Sequence, residues 1–250
     1  MEEIYQQLGI CTGDTVFIHA NMLAFGLLEH NREALVEHFL VPLRQQIGPN
    51  GTIVVLTYSF RYASGTPFIF EESPSEAGIF TEYVRKMPEA VRSFHPFSSV
   101  VAVGPRAHEI CDQVSRSAFG WNSAFHRLHN IQAKCLYLGM TCGDSCTFLH
   151  HVEHLYGVSH AYHKAFFHPA YLGGELQSGP YMAYLRNHNA AAYNFSFFAN
   201  EMRRRSLIQE CVYEGAPIQV IQLTDCFQVG MELLEKNPCA FLEKPYYVTE

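Results

Sequence analysis

The sequence predicts a layered α/β fold: one central mixed, largely parallel sheet flanked by helices. Three observations carry that prediction. Four short apolar runs, at residues 15–19, 52–56, 99–103 and 134–138, have the composition of buried strands. Stretches between them repeat apolar residues at helical spacing, and Gly- or Pro-bearing turns mark the junctions. Such alternation of strand and helix is how a sheet covered by helices is written.

Taken in order, Thr15-Val16-Phe17-Ile18-His19 is a short strand entered through a Gly13-Asp14 turn. Residues 32–46 form a helix with Leu35, Val36, Phe39, Leu40 and Leu43 on one face, stopped before Gly48-Pro49-Asn50-Gly51. Pro42 inside that pattern predicts a kink or a break. Thr52-Ile53-Val54-Val55-Leu56 is continuous and β-branched, as in a strand buried on both faces. A helix over 76–86 ends at Pro88, a strand over 99–103 ends at Gly104-Pro105, a helix spans 107–115, and a strand spans 134–138. Beyond residue 159 the pattern weakens into a shorter antiparallel section, with helices near 195–205 and 226–235. We expect one domain over 1–250.

Composition excludes several function classes. A net charge of −7 with only 17 Lys and Arg leaves no cationic face for nucleic acid. The one basic run, Arg203-Arg204-Arg205, suits a solvated helix face or a single phosphate. No stretch is long and apolar enough for a membrane span. Met1-Glu2-Glu3 is acidic where a secretory leader would be basic, and several of the eight cysteines sit in apolar runs as small hydrophobes. The expected location is therefore a reducing cytoplasm, without disulfides. The high aromatic content, 14%, suits a walled pocket or a homodimer interface.

The segment from Leu138 to His154 carries the chemistry. A buried strand ends at Gly139, a small polar loop follows, and a helix is expected to begin at Asp144 or Ser145, both good N-caps. Thr147, His150, Glu153 and His154 then share one helix face. Ligands of open α/β sheets bind beyond the carboxyl ends of the strands, which places Thr147 and His150 well for a site. A solvated polar face explains the same spacing.

The chain resembles the aminoglycoside 3-N-acetyltransferase family, in order, over residues 8–155. The resemblance rests on Gly13 to His19 with Leu23 and Gly26, on Gly51 to Ser59, and on the set Pro74-Ser75, Gly78, Pro88, Val91-Arg92-Ser93-Phe94-His95-Pro96, Ser99 and Gly104-Pro105-Arg106-Ala107. Phe119-Gly120, Ser123 and a Thr-x-x-His-x-x-Glu pattern at Thr147, His150 and Glu153 complete it. It implies a fold of that family's type and direct transfer of acetyl from acetyl-CoA to a sugar amine, with His150 as general base and Glu153 and Thr147 as its companions. It also implies a CoA channel lined by His19, Ala20, Asn21 and Met22, by Thr57 and Ser59, and by Val91, Arg92, Ser93, His95 and Ser98, with no metal. Arg92 suits a CoA phosphate or a structural ion pair, and His19 and His95 suit the channel or the core. The residue types fit the chemistry: a histidine can take the amine proton, a carboxylate can orient its ring, and the Thr147 hydroxyl can meet the oxyanion.

After Glu153 the resemblance thins. Family members carry acids in the C-terminal part, whereas Tyr184 to Phe195 contains none. Several ammonium groups would need carboxylate partners. The expected acceptor is therefore a singly aminated, nucleotide-linked or surface-glycan sugar, met by Asp144 and, in the acceptor-binding part over about 156–250, by Tyr162, Lys164 and Arg186. Tyr156, Tyr162, Phe166, Phe167 and Tyr171 stack on that sugar or belong to the core. Three alternatives remain at this point. One is an aminoglycoside acetyltransferase conferring antibiotic resistance. Another is a zinc hydrolase using His150 and His154, since residues 150–154 match H-x-x-E-H. The third is a non-catalytic CoA-binding relative.

Overall fold

A computed structural model describes residues 1–26, 29 and 31–247. In chain order its elements are α1 (Glu2–Gln7), β1 (Thr15–Ala20), α2 (Arg32–Ile47), β2 (Thr52–Tyr58), β3 (Phe68–Ile69), α3 (Ile79–Arg85), β4 (Val91–Arg92) and β5 (Ser98–Val103). There follow α4 (Ala107–Cys111), α5 (Ala124–Asn130), β6 (Lys134–Leu138), α6 (Leu149–Tyr156), β7 (Ala161–Phe166), β8 (Ala170–Leu172), β9 (Glu175–Leu176) and β10 (Tyr181–Arg186). The chain ends with α7 (Ser196–Arg204), β11 (Ile208–Tyr213), β12 (Ala216–Gln222) and α8 (Leu223–Lys236).

Seven strands form the main sheet in the order β11-β12-β6-β1-β2-β5-β4. The sheet is mixed, as expected, but parallel pairing is confined to β6-β1-β2, and both flanks are antiparallel. Side-chain alternation splits the core into two faces. Val16, Ile18, Leu136 and Leu138 pack with α1, α2 and α3, while Phe17, Cys135 and Tyr137 pack with α4 to α8. A third, smaller cluster of Tyr62, Phe68, Phe166, Tyr181 and Ala183 lies under the β7–β10 hairpin and the short β3-β8-β9 sheet.

Several expectations need correction. Helix α2 runs unbroken through Pro42. A mid-helix proline costs about 3 kcal/mol, but six buried side chains on this helix each contribute roughly 1.5–3 kcal/mol. Helix α3 starts only after Gly78, whose φ of +121° ends the preceding loop. Helix α4 stops at Cys111, because Asp112 is extended and Gln113 has φ +49°. Helix α6 begins at Leu149, not at Asp144 or Ser145. Asp144 Oδ2 instead accepts from the Thr141 amide and hydroxyl, both at 2.7 Å, and closes the turn after β6. The part beyond residue 156 is also more regular than expected: β12 pairs with β6, and α8 packs against α6. The β11–β12 hairpin turns at Glu214-Gly215, both with positive φ, the requirement of a tight two-residue loop.

The sheet generates a site because β1, β2 and β6 run parallel and end together. At the end of β6, Gly139 has φ +68°, and a Cβ there would collide with the Asn21 carbonyl and the Ala24 and Phe25 side chains. Gly139→Ala is therefore expected to cost about 2–4 kcal/mol, read as a lower urea midpoint. An unchanged midpoint would mean that the 20–25 segment yields freely.

Candidate active site

A groove of about 750 Å³ opens at the carboxyl ends of the three parallel strands. After β1 it is lined by His19, Ala20, Asn21 and Met22, after β2 by Tyr58, and after β6 by Met140, Ser145 and Thr147. Its outer wall is Arg32 together with Ala77, Gly78, Ile79 and Thr81. A second depression of about 760 Å³ shares Arg32, Gly78 and Ile79 with it and continues outward past Lys86 to Pro88. The Asn21 amide bonds the Leu138 carbonyl at 2.8 Å, tying the β1 and β6 ends together beneath the groove.

His150 lies one helical turn beyond the inner end of this groove. Thr147 lies in the turn before α6, not on the helix, and its carbonyl accepts from the His150 amide at 3.1 Å. His150 Nδ1 is 3.0 Å from Glu153 Oε2, and the other carboxylate oxygen is 2.8 Å from His160 Nε2. Glu153 and His160 have no exposed surface, whereas the His150 side chain keeps 23%. Burial opposes charge on Glu153, but the hydrogen bonds to the two imidazoles outweigh it and hold its pKa below the usual carboxylate range. Phe119, Tyr193 and Phe195 wall the His150 ring, with centroids at 5.5, 4.7 and 6.1 Å.

Other expected site residues lie elsewhere. Arg92 does not face the groove. Its guanidinium donates to the carbonyls of Phe70, Ser73 and Thr57 and to Ser99 Oγ, over the Phe68 ring, so it is a structural clamp with four of its five N–H donors committed inside the fold. Burial pulls its pKa down to about 10. Ser93 Oγ accepts from the Val100 amide, and Thr57 Oγ1 bonds Ser99 Oγ, both inside the sheet. His95 accepts from the Ser98 amide at 3.1 Å and lines, with Ser93 and Ser98, a separate small pocket. Val91 packs against the core on edge strand β4, and Ser59 is buried with an unpartnered hydroxyl. The groove uses Tyr58, within the expected 57–59 stretch, and also Arg32 and the 77–81 segment, which sequence reasoning did not place there; the signal for the latter was Gly78 before a helix.

On the acceptor side, the hairpin register sorts the candidates. His163 pairs with Tyr184 on the face that packs against His154, and Arg186 shares that face. Tyr162, Lys164 and Phe166 occupy the opposite face, with Lys164 over Phe166, and so point away from His150. Phe166 belongs to the third core cluster. Arg186 lies over Tyr193 and donates to the Ala190 and Ala191 carbonyls. Arg203, Arg204 and Arg205 pair with Glu210, Glu201 and Glu232. The H-x-x-E-H spacing does not bring His150 and His154 onto one centre: Glu153 takes His150 and His160, His154 packs on His163 and Tyr184, and among the described residues no group of His, Cys, Asp and Glu is arranged to hold a metal ion.

Comparison with known proteins decides the family. The family model described as aminoglycoside 3-N-acetyltransferase matches residues 17–235. The chain belongs to the aminoglycoside 3-N-acetyltransferase family. It is accordingly an N-acetyltransferase. It is similar to aminoglycoside N(3)-acetyltransferase VIII of Streptomyces fradiae, at 26% identity over 93% of this chain and 89% of that protein. It is also similar to aminoglycoside N(3)-acetyltransferase III of Salmonella sp, at 30% identity over 60% of this chain and 58% of that protein. Its fold is that of AAC-IIIb, solved as a binary structure with CoASH (TM-score 0.79, 22% identity, 98% of this chain and 97% of that one). The family match extends well past residue 155, where the motif resemblance thins. Among the described residues, no helix is long and apolar enough to cross a membrane.

Two predictions follow from these environments. Arg92→Lys keeps the charge but loses the fork that joins four acceptors. Stability should drop by about 1–3 kcal/mol while the CoA dissociation constant moves by less than about twofold; a large affinity loss in calorimetry would return Arg92 to the groove. The second concerns pH. Burial holds His19, His95 and His151 at about 4, while an unfolded histidine titrates near 6.5. Between those values the unfolded chain binds more protons, so stability is full above about pH 6.5 and is lost as pH falls toward 4. Urea midpoints at pH 7.5, 6 and 5 should decline steeply, and a flat series would refute the neutral buried imidazoles.

Proposed function

We propose that this chain moves the acetyl group of acetyl-CoA onto an amino group of an aminoglycoside-class acceptor, with His150 as general base. The observation that carries this reading is the Glu153–His150 hydrogen bond beside the inner end of a groove at the parallel strand ends. A CoA-length donor suits two depressions that share a wall, with its thioester at Thr147 and its outer part past Arg32. The relative solved with CoASH supports that donor.

The chemistry is direct transfer. The ionised Glu153 carboxylate only accepts, so His150 Nδ1 carries the proton and Nε2 presents its lone pair. The acceptor amine attacks as the free base and forms a bond to the thioester carbon, and Nε2 takes the proton its nitrogen sheds. The resulting oxyanion is met by the Thr147 hydroxyl. Collapse breaks the C–S bond, and the CoA thiolate leaves and takes that proton from the His150 imidazolium.

One observation favours a second reading of the acceptor. The wall around His150 is Phe119, Tyr193, Phe195 and, one ring further, Arg186, rather than a set of carboxylates. Such a wall suits an acceptor with one amine and an anionic group, such as a nucleotide-linked amino sugar.

Thiol release from acetyl-CoA, measured across aminoglycosides and nucleotide-linked amino sugars, tests both. Efficient release with aminoglycosides is expected; release with the nucleotide-linked sugars alone would install the second reading, and none with either class would end both. In the same assay His150→Asn should keep the fold and CoA affinity but lose about two to four orders of magnitude in turnover. Glu153→Gln should lose less if its part is to orient the ring. A normal rate in His150→Asn at saturating acetyl-CoA would remove the base from the mechanism.

A further inference from the structure

We propose that His160 is a positioning residue for acetyl transfer: its Nε2–H fixes the Glu153 carboxylate in the orientation that keeps His150 protonated at Nδ1 and open at Nε2. This rests on the reading of His150 as base and adds to it a residue outside the Thr-x-x-His-x-x-Glu pattern.

The geometry is specific. A carboxylate hydrogen-bonded through one oxygen can turn about its last side-chain torsion and present either oxygen. Here Oε1 is held by His160 at 2.8 Å and Oε2 by His150 at 3.0 Å, so the plane is fixed from both sides. The backbone of each partner is also tied. The Glu153 carbonyl accepts from the Gly157 amide at 2.9 Å and the Tyr184 hydroxyl at 3.3 Å, and the His160 carbonyl accepts from the Asn187 amide at 2.7 Å. Gly157, with φ +81° and ψ 51°, ends α6 in a left-handed turn that folds the chain back and sets His160 against Glu153.

His160 is not placed for its own satisfaction. Its ring is fully buried, and Nδ1 has no partner among the described residues. Glu153 as a carboxylate only accepts, so Nε2 must be the donor, and the bare Nδ1 is left without a donor. The other titratable or charged groups near the ring are His150 on α6, Tyr184 and Arg186 on β10, and Tyr193, whose ring lies 6.3 Å from His160 and 4.7 Å from His150. Tyr193 also meets the Glu153 carboxylate, and burial and that carboxylate push its phenol pKa up; the hydrogen bonds of Tyr184 and Arg186 go elsewhere.

Histidine nitrogen chemical shifts of the native chain at neutral pH test the tautomers directly, with resonances assigned from His150→Asn and His160→Gln spectra. His160 should be protonated at Nε2 and bare at Nδ1, and His150 the reverse; His160 protonated at Nδ1 instead overturns the proposal. Kinetics give the second arm. His160→Leu should lower kcat by about ten- to a hundred-fold with the KM for acetyl-CoA unchanged. His160→Gln, whose amide nitrogen reaches the same place, should stay within about threefold of the native kcat. An unchanged kcat in the leucine variant, or an equal loss in both variants, overturns the proposal; if the leucine variant fails to fold, the native-chain tautomers decide. A normal rate in His150→Asn with the expected tautomers would defeat the base assignment instead, so the two failures are distinct.

Discussion

A fully buried carboxylate holds this site together. Glu153 sits in the interior without exposed surface, where an isolated charge costs several kcal/mol. The two imidazoles that bracket it make its ionised form the stable one. That arrangement sets much else: the tautomer of His150, the need for a left-handed turn at Gly157, and the dry aromatic cover of Tyr193 and Phe119. A more exposed acid would weaken the orientation of the ring, since water would compete for both oxygens. A more deeply buried His150 would lose its opening to an acceptor, and its side chain keeps 23% of its surface.

The sheet supplies the second constraint. Within the main sheet only the neighbours β6, β1 and β2 pair in parallel, and their carboxyl ends give three adjacent loops on one side of the molecule. Antiparallel flanks would carry their loops to alternating ends and leave no common groove. Backbone geometry does the close work there: Gly139 lets the Asn21 carbonyl approach β6, and the Asn21 amide closes onto Leu138. The groove is thus a property of main-chain layout, with side chains such as Thr147 and Arg32 finishing it at either end.

That division explains what could be read from the sequence. The four strands were legible because a strand buried on both faces is an uninterrupted apolar run, and Val16 to Ile18 or Ile53 to Val55 has no other use. That His150 and Glu153 share a helix face was legible from their three-residue spacing, whereas which carboxylate pairs with His150 was not, because burial and the second imidazole that holds Glu153 are tertiary features. Arg92 was misread because sequence does not reveal that four oxygen acceptors converge on it. Tyr162 and Lys164 were misplaced because a strand's face depends on register, and one residue of parity sends a side chain to the other side. His160 was invisible for a related reason: its partner is seven positions back across a turn. Strands β11 and β12 were overlooked although Glu214-Gly215 between two alternating runs marks a hairpin.

The same division separates the groove from the wall around His150. The groove is built largely from loops anchored to the parallel strands, so changing it disturbs the sheet. Phe119, Tyr193, Phe195 and Arg186 form that wall, and the β7–β10 pair with the loop after it carries none of the main sheet. Residues there that make no bond to Glu153 or His160 can be exchanged without moving the carboxylate, unlike Tyr184 and Asn187, which tie the Glu153 and His160 carbonyls. Arg186 illustrates it: its guanidinium is held by the Ala190 and Ala191 carbonyls and the Tyr193 face, all local to that hairpin and loop. A guanidinium there repels an ammonium-rich acceptor and attracts an anionic one, yet leaves the His150–Glu153 chemistry as it is. On the proposed reading, the strand ends and the His150–Glu153 pair serve the acetyl transfer, while side chains of that wall select the amine brought to it.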